Sequence, residues 1–310
     1  MEKAKQGKWI FLGLVIVLVA LVFIYPNASE SDYTVHDTSY SSGETNIAVV
    51  DIVGTISEDD GDTYNQQWVL DSIQNALWDR DNRAILLYIE TPGGTVYESD
   101  EVYLALQEYK EYTGRPVYAY MAAQATSGGY YIAAAADEIC ANRNTITGSI
   151  GVIFGQSIDM TEFLNRYGIK MTTVTAGKNK NMFSIDEPVT AEHLSIMQSV
   201  ADEAYDQFVQ IVAEGRGMTI AQVERLADGR IYSAKQALEN GLIDGIVGYD
   251  DYLYLLQEEL GAIDVIYSHY EPDAALLYDW LGVKQEETEM QALLRMVDTI
   301  SGPSYYCNLY

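Results

Sequence analysis

Residues 47–53 read Ile-Ala-Val-Val-Asp-Ile-Val and residues 84–89 read Ala-Ile-Leu-Leu-Tyr-Ile. Both runs are almost unbroken in hydrophobicity, whereas a strand with one wet face would alternate apolar and polar side chains. Such continuity belongs to strands covered on both faces of a largely parallel sheet. Between them, residues 64–78 set Trp68, Val69, Ser72, Ile73, Ala76 and Leu77 at the spacing of an amphipathic helix. Parallel neighbours need a crossover of this kind, so 47–89 forms one β-α-β unit. A helix over 99–112 and a strand over 117–121 continue the alternation, which predicts right-handed crossovers and an α/β core.

Further along, a helix is expected from Ser127 to 136, with short strands at 138–141 and 151–153. A long amphipathic helix over 190–214 starts at an N-cap threonine, Thr190, with Glu192 in its first turn. Two shorter helices follow at 220–227 and 234–240, the second stopped by Gly241 at C′. From 267 onward the pattern weakens: Glu286, Glu287 and Glu289 read as solvated, and 290–300 as a small amphipathic helix. The Tyr-rich end, 305–310, can dock in a subunit contact or enter a peptide groove, and plain packing is the expectation.

Ahead of the domain, residues 9–25 carry no charge and are dominated by Ile, Leu, Val and Phe. At helical rise they reach about 25 Å, enough to cross a hydrocarbon core. Lys3, Lys5 and Lys8 precede them, which holds residues 1–8 in the cytoplasm and sends the remainder outside. The apolar run is longer than the core of most signal peptides, so a retained anchor is expected over cleavage near Asn27-Ala28-Ser29. Residues 26–45 are rich in Ser, Thr, Asp and Asn and form a tether. The expected division is then 1–8 cytoplasmic, 9–25 anchor, 26–45 tether, 46–266 domain and 267–310 a tail available for oligomer contacts.

The net charge of −28 repels phosphate backbones, so nucleic acid is excluded as a partner. Cys140 and Cys307 lack the paired spacing of a zinc site, and free thiols are expected over a bridge. No glycine-rich dinucleotide fingerprint, phosphate loop or His-Glu-x-x-His occurs, and no cofactor or metal is expected. The three histidines, His36, His193 and His269, sit in no strand-end turn.

Two glycine turns stand at strand ends, where open α/β sheets carry their sites: Thr91-Pro92-Gly93-Gly94 and Thr126-Ser127-Gly128-Gly129. Paired glycines present backbone N–H groups of the kind an oxyanion hole needs. A serine opening a helix sits where orphan amides favour negative charge. Singly, the turns read as an ordinary bend and an N-cap; together they supply a nucleophile and an oxyanion donor. Position 125 is Ala, so the Gly-x-Ser-x-Gly elbow of α/β-hydrolases is absent, and position 130 is Tyr, which removes Ser-x-x-Lys. Without a histidine the hydroxyl of Ser127 needs another base, and a lysine can act if burial lowers its pKa enough to leave a neutral amine. Lys178, Lys180 and Lys235 are the candidates, the first two in the loop-like stretch 175–186.

The run TPGG, then SGGYYIAAAAD, TGSIGV and GRIYSAKQALENGLID behind an amino-terminal apolar helix resembles the signal peptide peptidase A family of Ser/Lys serine proteases, over about 47–248. The resemblance implies a ClpP/crotonase fold, Ser127 as nucleophile, and the Gly94 and Gly128 amides as oxyanion hole. It also implies Lys180, in Gly177-Lys178-Asn179-Lys180, as general base, with Lys178 two residues away and Lys235 in a structural position. Ser149, in the TGSIG segment, is the candidate for orienting the amine; its alternative is a turn serine. Peptide substrates such as signal-peptide remnants and a homo-oligomer are implied too. A catalytically silent crotonase-like scaffold or peptide binder, tethered to the membrane, shares every fold signal and is the alternative; a related Ser/Lys protease family is a nearer one.

Overall fold

The computed structural model describes residues 43–58 and 63–268, together with the backbone of 304–306. The expected anchor at 9–25, nearly all of the tether and the small helix at 290–300 lie outside the described residues. Among the described residues no helix is long and apolar enough to cross a membrane.

The first unit is built as the continuous apolar runs require. Strand β1 (Asn46–Val53) pairs in parallel with β2 (Asn82–Thr91), and helix α1 (Gln66–Trp78) joins them, its N-cap Asn65 accepting from the Trp68 N–H. A short strand β3 (Gly93–Thr95) leads straight into α2 (Val96–Thr113), and β4 (Val117–Thr126) adds in parallel to β2. Helix α2 ends at Gly114, whose φ of 66° gives the left-handed turn that stops it. Next come α3 (Gly128–Ala133), β5 (Glu138–Ala141) and β6 (Ile146–Gly148), then α4 (Thr161–Arg166) and the long α5 (Ala191–Gly215). Helix α6 (Ile220–Glu224), β7 (Ile231–Ser233), α7 (Ala234–Glu239), β8 (Gly245–Ile246), α8 (Tyr249–Leu260) and β9 (Asp264–Ser268) complete the domain, and β10 (Ser304–Tyr306) follows.

The main sheet runs β7-β6-β4-β2-β1-β9, with β5 and β8 branching from β4. All its pairings are parallel except β6 with β7. Alternate residues of β1 enter two cores. Ala48, Val50 and Ile52 join α1, α2, α3 and α5 on one face, while Ile47 and Val49 join Tyr252, Leu253 and Leu256 of α8 on the other. Full burial of each Ile, Leu or Val contributes about 1.5–3 kcal/mol, so a sheet covered on both faces is what these runs stabilise best.

Two expectations are corrected. The strand placed at 151–153 lies at Ile146–Gly148, because φ of 83° at Gly148 and 52° at Ser149 takes the chain out of the sheet. The helix expected to begin at 99 begins at Val96, directly on β3.

Candidate active site

Strands β2 and β4 lie side by side with Thr91 opposite Ala125, so the turns that follow them meet at one end of the sheet. One hydroxyl joins the two turns and another shapes the first of them. The Thr126 Oγ1 donates to the Pro92 carbonyl at 3.1 Å, and the Thr91 Oγ1 accepts from the Gly93 N–H at 3.0 Å.

Ser127 follows β4 directly with φ 55° and ψ −116°, a conformation that residues other than glycine rarely adopt, at a cost on the order of 1–3 kcal/mol. Its surroundings hold it there. The Ser127 N–H donates to Gly148 O at 2.8 Å, and its carbonyl accepts from the Tyr131 N–H at 2.9 Å. Helix α3 is itself pinned, the Tyr130 hydroxyl donating to Leu242 O at 2.8 Å and the Tyr131 hydroxyl to Asp100 at 2.5 Å. The Ser127 side chain makes no capping bond to α3, so it does not act as the N-cap that a serine here would ordinarily be. A strained, buried serine between a strand and a helix is the arrangement that aims a nucleophile out of a turn.

Three glycines let the second turn close onto it. A Cβ on Gly128 would come within 2.5 Å of the Ser99 Oγ and 3.3 Å of the Gly94 N, and one on Gly129 within 2.5 Å of Thr91 Cγ2. A Cβ on Gly94 would overlap the Ile56 carbonyl. Gly94 and Gly128 are therefore neighbours beside Ser127. The Ile56 N–H donates to Gly93 O at 3.0 Å and the Thr95 N–H to Ile56 O at 2.9 Å. Groups alternate in direction along a strand, so the Gly94 N–H and C=O face the opposite edge of β3.

Ser149 also belongs to this neighbourhood. Gly148 pairs with Thr126, and Ser149, at φ 52° and buried, donates its N–H to Arg230 O at 2.8 Å. The lysines do not. Lys180 is exposed in the turns of 176–183, and Lys178 is paired with Glu192 at 2.5 Å while its side chain is 76% exposed. Lys235 faces Glu239 on the surface, and Lys110 binds Asp137. Among the described residues no hydrogen bond joins a lysine to Ser127 within the chain. His193 makes none to it either.

The segment that carries Lys178 and Lys180 is unlike the rest of the molecule. Between 151 and 190 no residue is buried, and Phe163, Tyr167, Ile169 and Val174 are exposed, Val174 by 94%. In the first turn of α2, partial burial pushes the Glu98 carboxyl up; an N–H hydrogen bond opposes this, and the charges of Glu58 and Glu101 add to it. Behind the sheet, Cys140 is a free, buried cysteine whose thiol burial raises to about 12, so it is inert.

Ser99 and Ile56 went unnoticed in the sequence. Ser99 is fully buried and donates to Thr95 O at 2.7 Å, bracing the turn against Gly128, yet nothing in its helical spacing separates it from an ordinary core serine. The partner of Gly94 across β3 is the segment Ser304–Tyr306, with Tyr305 opposite Gly94.

The model of peptidase family S49 matches residues 110–262. An Enterococcus faecium protein named "Putative signal peptide peptidase SppA" is 37% identical over 225 residues, 72% of this chain and 65% of that one. Protease 4 of Haemophilus influenzae is 33% identical over 66% of this chain and 33% of its own length. The chloroplastic serine protease SPPA of Arabidopsis thaliana is 29% identical over 67% of this chain and 31% of its own. The chain thus spans less than two thirds of the length of each of these relatives. The matched region holds α3, with Ser127 before it, the Gly148-Ser149 turn and the segment bearing Lys180, and on these grounds the chain belongs to peptidase family S49.

Proposed function

We propose that this chain is a membrane-anchored serine endopeptidase of ClpP/crotonase type that cleaves peptides at the membrane surface, signal-peptide remnants among them. The observation that carries the reading is Ser127: buried, held in a strained conformation, not capping its helix, and flanked by the Gly94 and Gly128 amides. Those amides would receive the charge that develops on a peptide carbonyl attacked by the Ser127 Oγ, an interaction worth about 3–4 kcal/mol per donor in an acyl-transfer site. The names of the relatives, a signal peptide peptidase and two proteases, support the same chemistry.

The general base is Lys180, delivered by a neighbouring copy. Within one chain Lys180 is exposed, on the segment whose apolar side chains find no cover. Packing that segment against a second copy in a closed ring buries Phe163, Tyr167 and Val174 and brings the amine to Ser127. Burial between copies supplies the desolvation that a lysine base needs. Ser149, beside Ser127 on the next strand end, orients the amine. Residues 9–25 hold the assembly in the membrane, with residues 1–8 in the cytoplasm and the catalytic domain outside.

A fluorophosphonate probe tests the nucleophile. Full-length protein is expected to be labelled on Ser127, and Ser127→Ala to take no label and to hydrolyse no peptide ester. Ester hydrolysis that persists in Ser127→Ala would favour a different nucleophile. Absence of labelling in the assembled wild-type protein would favour the silent scaffold, which shares the fold and for which the lone-chain position of Lys180 speaks.

A further inference from the structure

We propose that the cleft between α8 and the paired strands β5 and β8 is a binding site for a small alkyl polyamine, whose ammonium groups meet the Glu138, Glu258 and Glu259 carboxylates and the hydroxyl of Tyr252. The cleft has a volume of 540 Å³, within the range of small-molecule sites, and a floor that includes Ile246, Leu255 and Leu256. The three glutamates line it as well, and among the described residues no lysine or arginine pairs with any of them. The Tyr254 hydroxyl donates to Glu258 at 2.7 Å and the Cys140 thiol to Glu138 at 3.4 Å. Tyr252 supplies an independent sign of a ligand. It is 3% exposed, and its buried hydroxyl makes no hydrogen bond, which a native interior seldom tolerates. Its ring cannot turn away to find a partner, because it lies edge-on to Tyr118, centroids 6.4 Å apart, and tilted against Tyr120 at 6.3 Å. The Cys140 thiol and the Glu138 carboxylate beside that hydroxyl both line the cleft, so the hydroxyl is aimed toward it.

The chemistry of the lining selects the ligand. Three carboxylates repel an anion, and they do not close on a metal ion: among the described residues no group of three His, Cys, Asp or Glu side chains could hold one. A flexible chain with several ammonium groups meets spaced carboxylates one at a time, while its methylenes cover the apolar floor. One ammonium, set between Tyr252 and Glu138, donates to the phenol oxygen and to the carboxylate, and the hydroxyl gains the partner it lacks. The half-buried Glu138 side chain swings to admit it. A single lysine stem would leave most of the cleft unfilled, which favours a small polyamine over the side chain of a docked protein. The site stands apart from the reading of Ser127 and holds whether or not the chain is a protease.

Spermidine is the probe, titrated by calorimetry into the detergent-solubilised full chain at low salt, and one saturating site is expected. A chain of net charge −28 collects polycations anywhere on its surface, so the deciding variant is Tyr252→Phe, which leaves the charge unchanged. It is expected to weaken spermidine binding about tenfold, the loss of one hydrogen bond to a charged group. It is also expected to raise the thermal midpoint of the ligand-free chain by about 2–4 °C, because an unpaired buried hydroxyl is gone. Glu138→Gln is expected to weaken binding about tenfold as well, whereas Glu203→Gln, which removes the same charge from α5, changes it by less than about twofold. Binding that does not saturate overturns the inference, and so does binding that Tyr252→Phe leaves unchanged while the two glutamine variants weaken it equally, the mark of a diffuse counterion cloud. Tighter binding of N-acetyl-lysinamide than of spermidine overturns the choice of ligand in favour of a partner's lysine side chain. In the unsubstituted chain, which needs no variant to fold, spermidine is expected to raise the thermal midpoint, and no rise at saturating concentration overturns the inference.

Discussion

Replacing Ser127 by glycine separates strain from chemistry. At φ 55° and ψ −116° any side chain costs on the order of 1–3 kcal/mol, and glycine costs almost nothing. Against Ser127→Ala, the glycine variant gains about 2 kcal/mol of released strain, loses about 0.7 kcal/mol to the freer unfolded chain and about 0.8 kcal/mol of buried methyl. The two variants should thus be equally stable within about 0.5 kcal/mol, the glycine form slightly ahead. A control sits six residues on: Ala133, fully buried in α3, where alanine to glycine has no strain to release and costs about 1.5–2 kcal/mol. For a domain of this size that gap is about 4–8 °C in the thermal midpoint of detergent-solubilised protein. Should Ser127→Gly fall as far below Ser127→Ala as Ala133→Gly falls below wild type, Ser127 is not held in a conformation that favours glycine. The account of how the turn aims its hydroxyl would then be wrong.

Two further outcomes follow from the same turns. Gly128→Ala places a methyl 2.5 Å from the Ser99 Oγ, so it should lower stability by about 1–3 kcal/mol in urea unfolding; adding Ser99→Ala should recover part of that loss and of the peptidase activity. Burial raises the Glu98 carboxyl above its unfolded value, so the folded chain holds that proton more tightly and the favourable contribution is lost as pH rises through the folded value. Glu98→Gln should therefore raise the thermal midpoint at pH 8 and bring no such gain at pH 4; a loss at pH 8 would count against a buried, unfavourable charge there.

How much of this was legible beforehand depends on whether the information was local. The parallel strands β1 and β2 could be read because burial on both faces leaves a continuous apolar run, and α5 because Thr190 caps it as its hydroxyl suggests, accepting from the His193 N–H. The two glycine turns could be placed together because consecutive parallel strands end at the same side of a sheet, which the pairing of Thr91 with Ala125 bears out. The break after Gly148 was missed because Ser149 takes a positive φ that its own chemistry does not demand; the bond from its N–H to Arg230 O, and that from the Ser127 N–H to Gly148 O, hold the turn. Long-range pairing was equally invisible. Nothing local in residues 304–306 says that they meet Gly93–Thr95, some two hundred positions away. The lysine segment was legible only as a loop-like stretch, and nothing local in it says that in a single copy none of its residues is buried.

That exposure allows a decisive experiment on the pairing of Ser127 with a lysine from a neighbouring copy. Ser127→Ala and Lys180→Ala, each inactive alone, are co-expressed and co-assembled in equal amounts, and ester hydrolysis is measured against wild type. If each site takes its serine from one copy and its lysine from the next, random assembly leaves about a quarter of the sites complete and restores about that share of activity. A mixture as silent as its two components, or a Lys180→Ala protein that remains active by itself, would contradict the account.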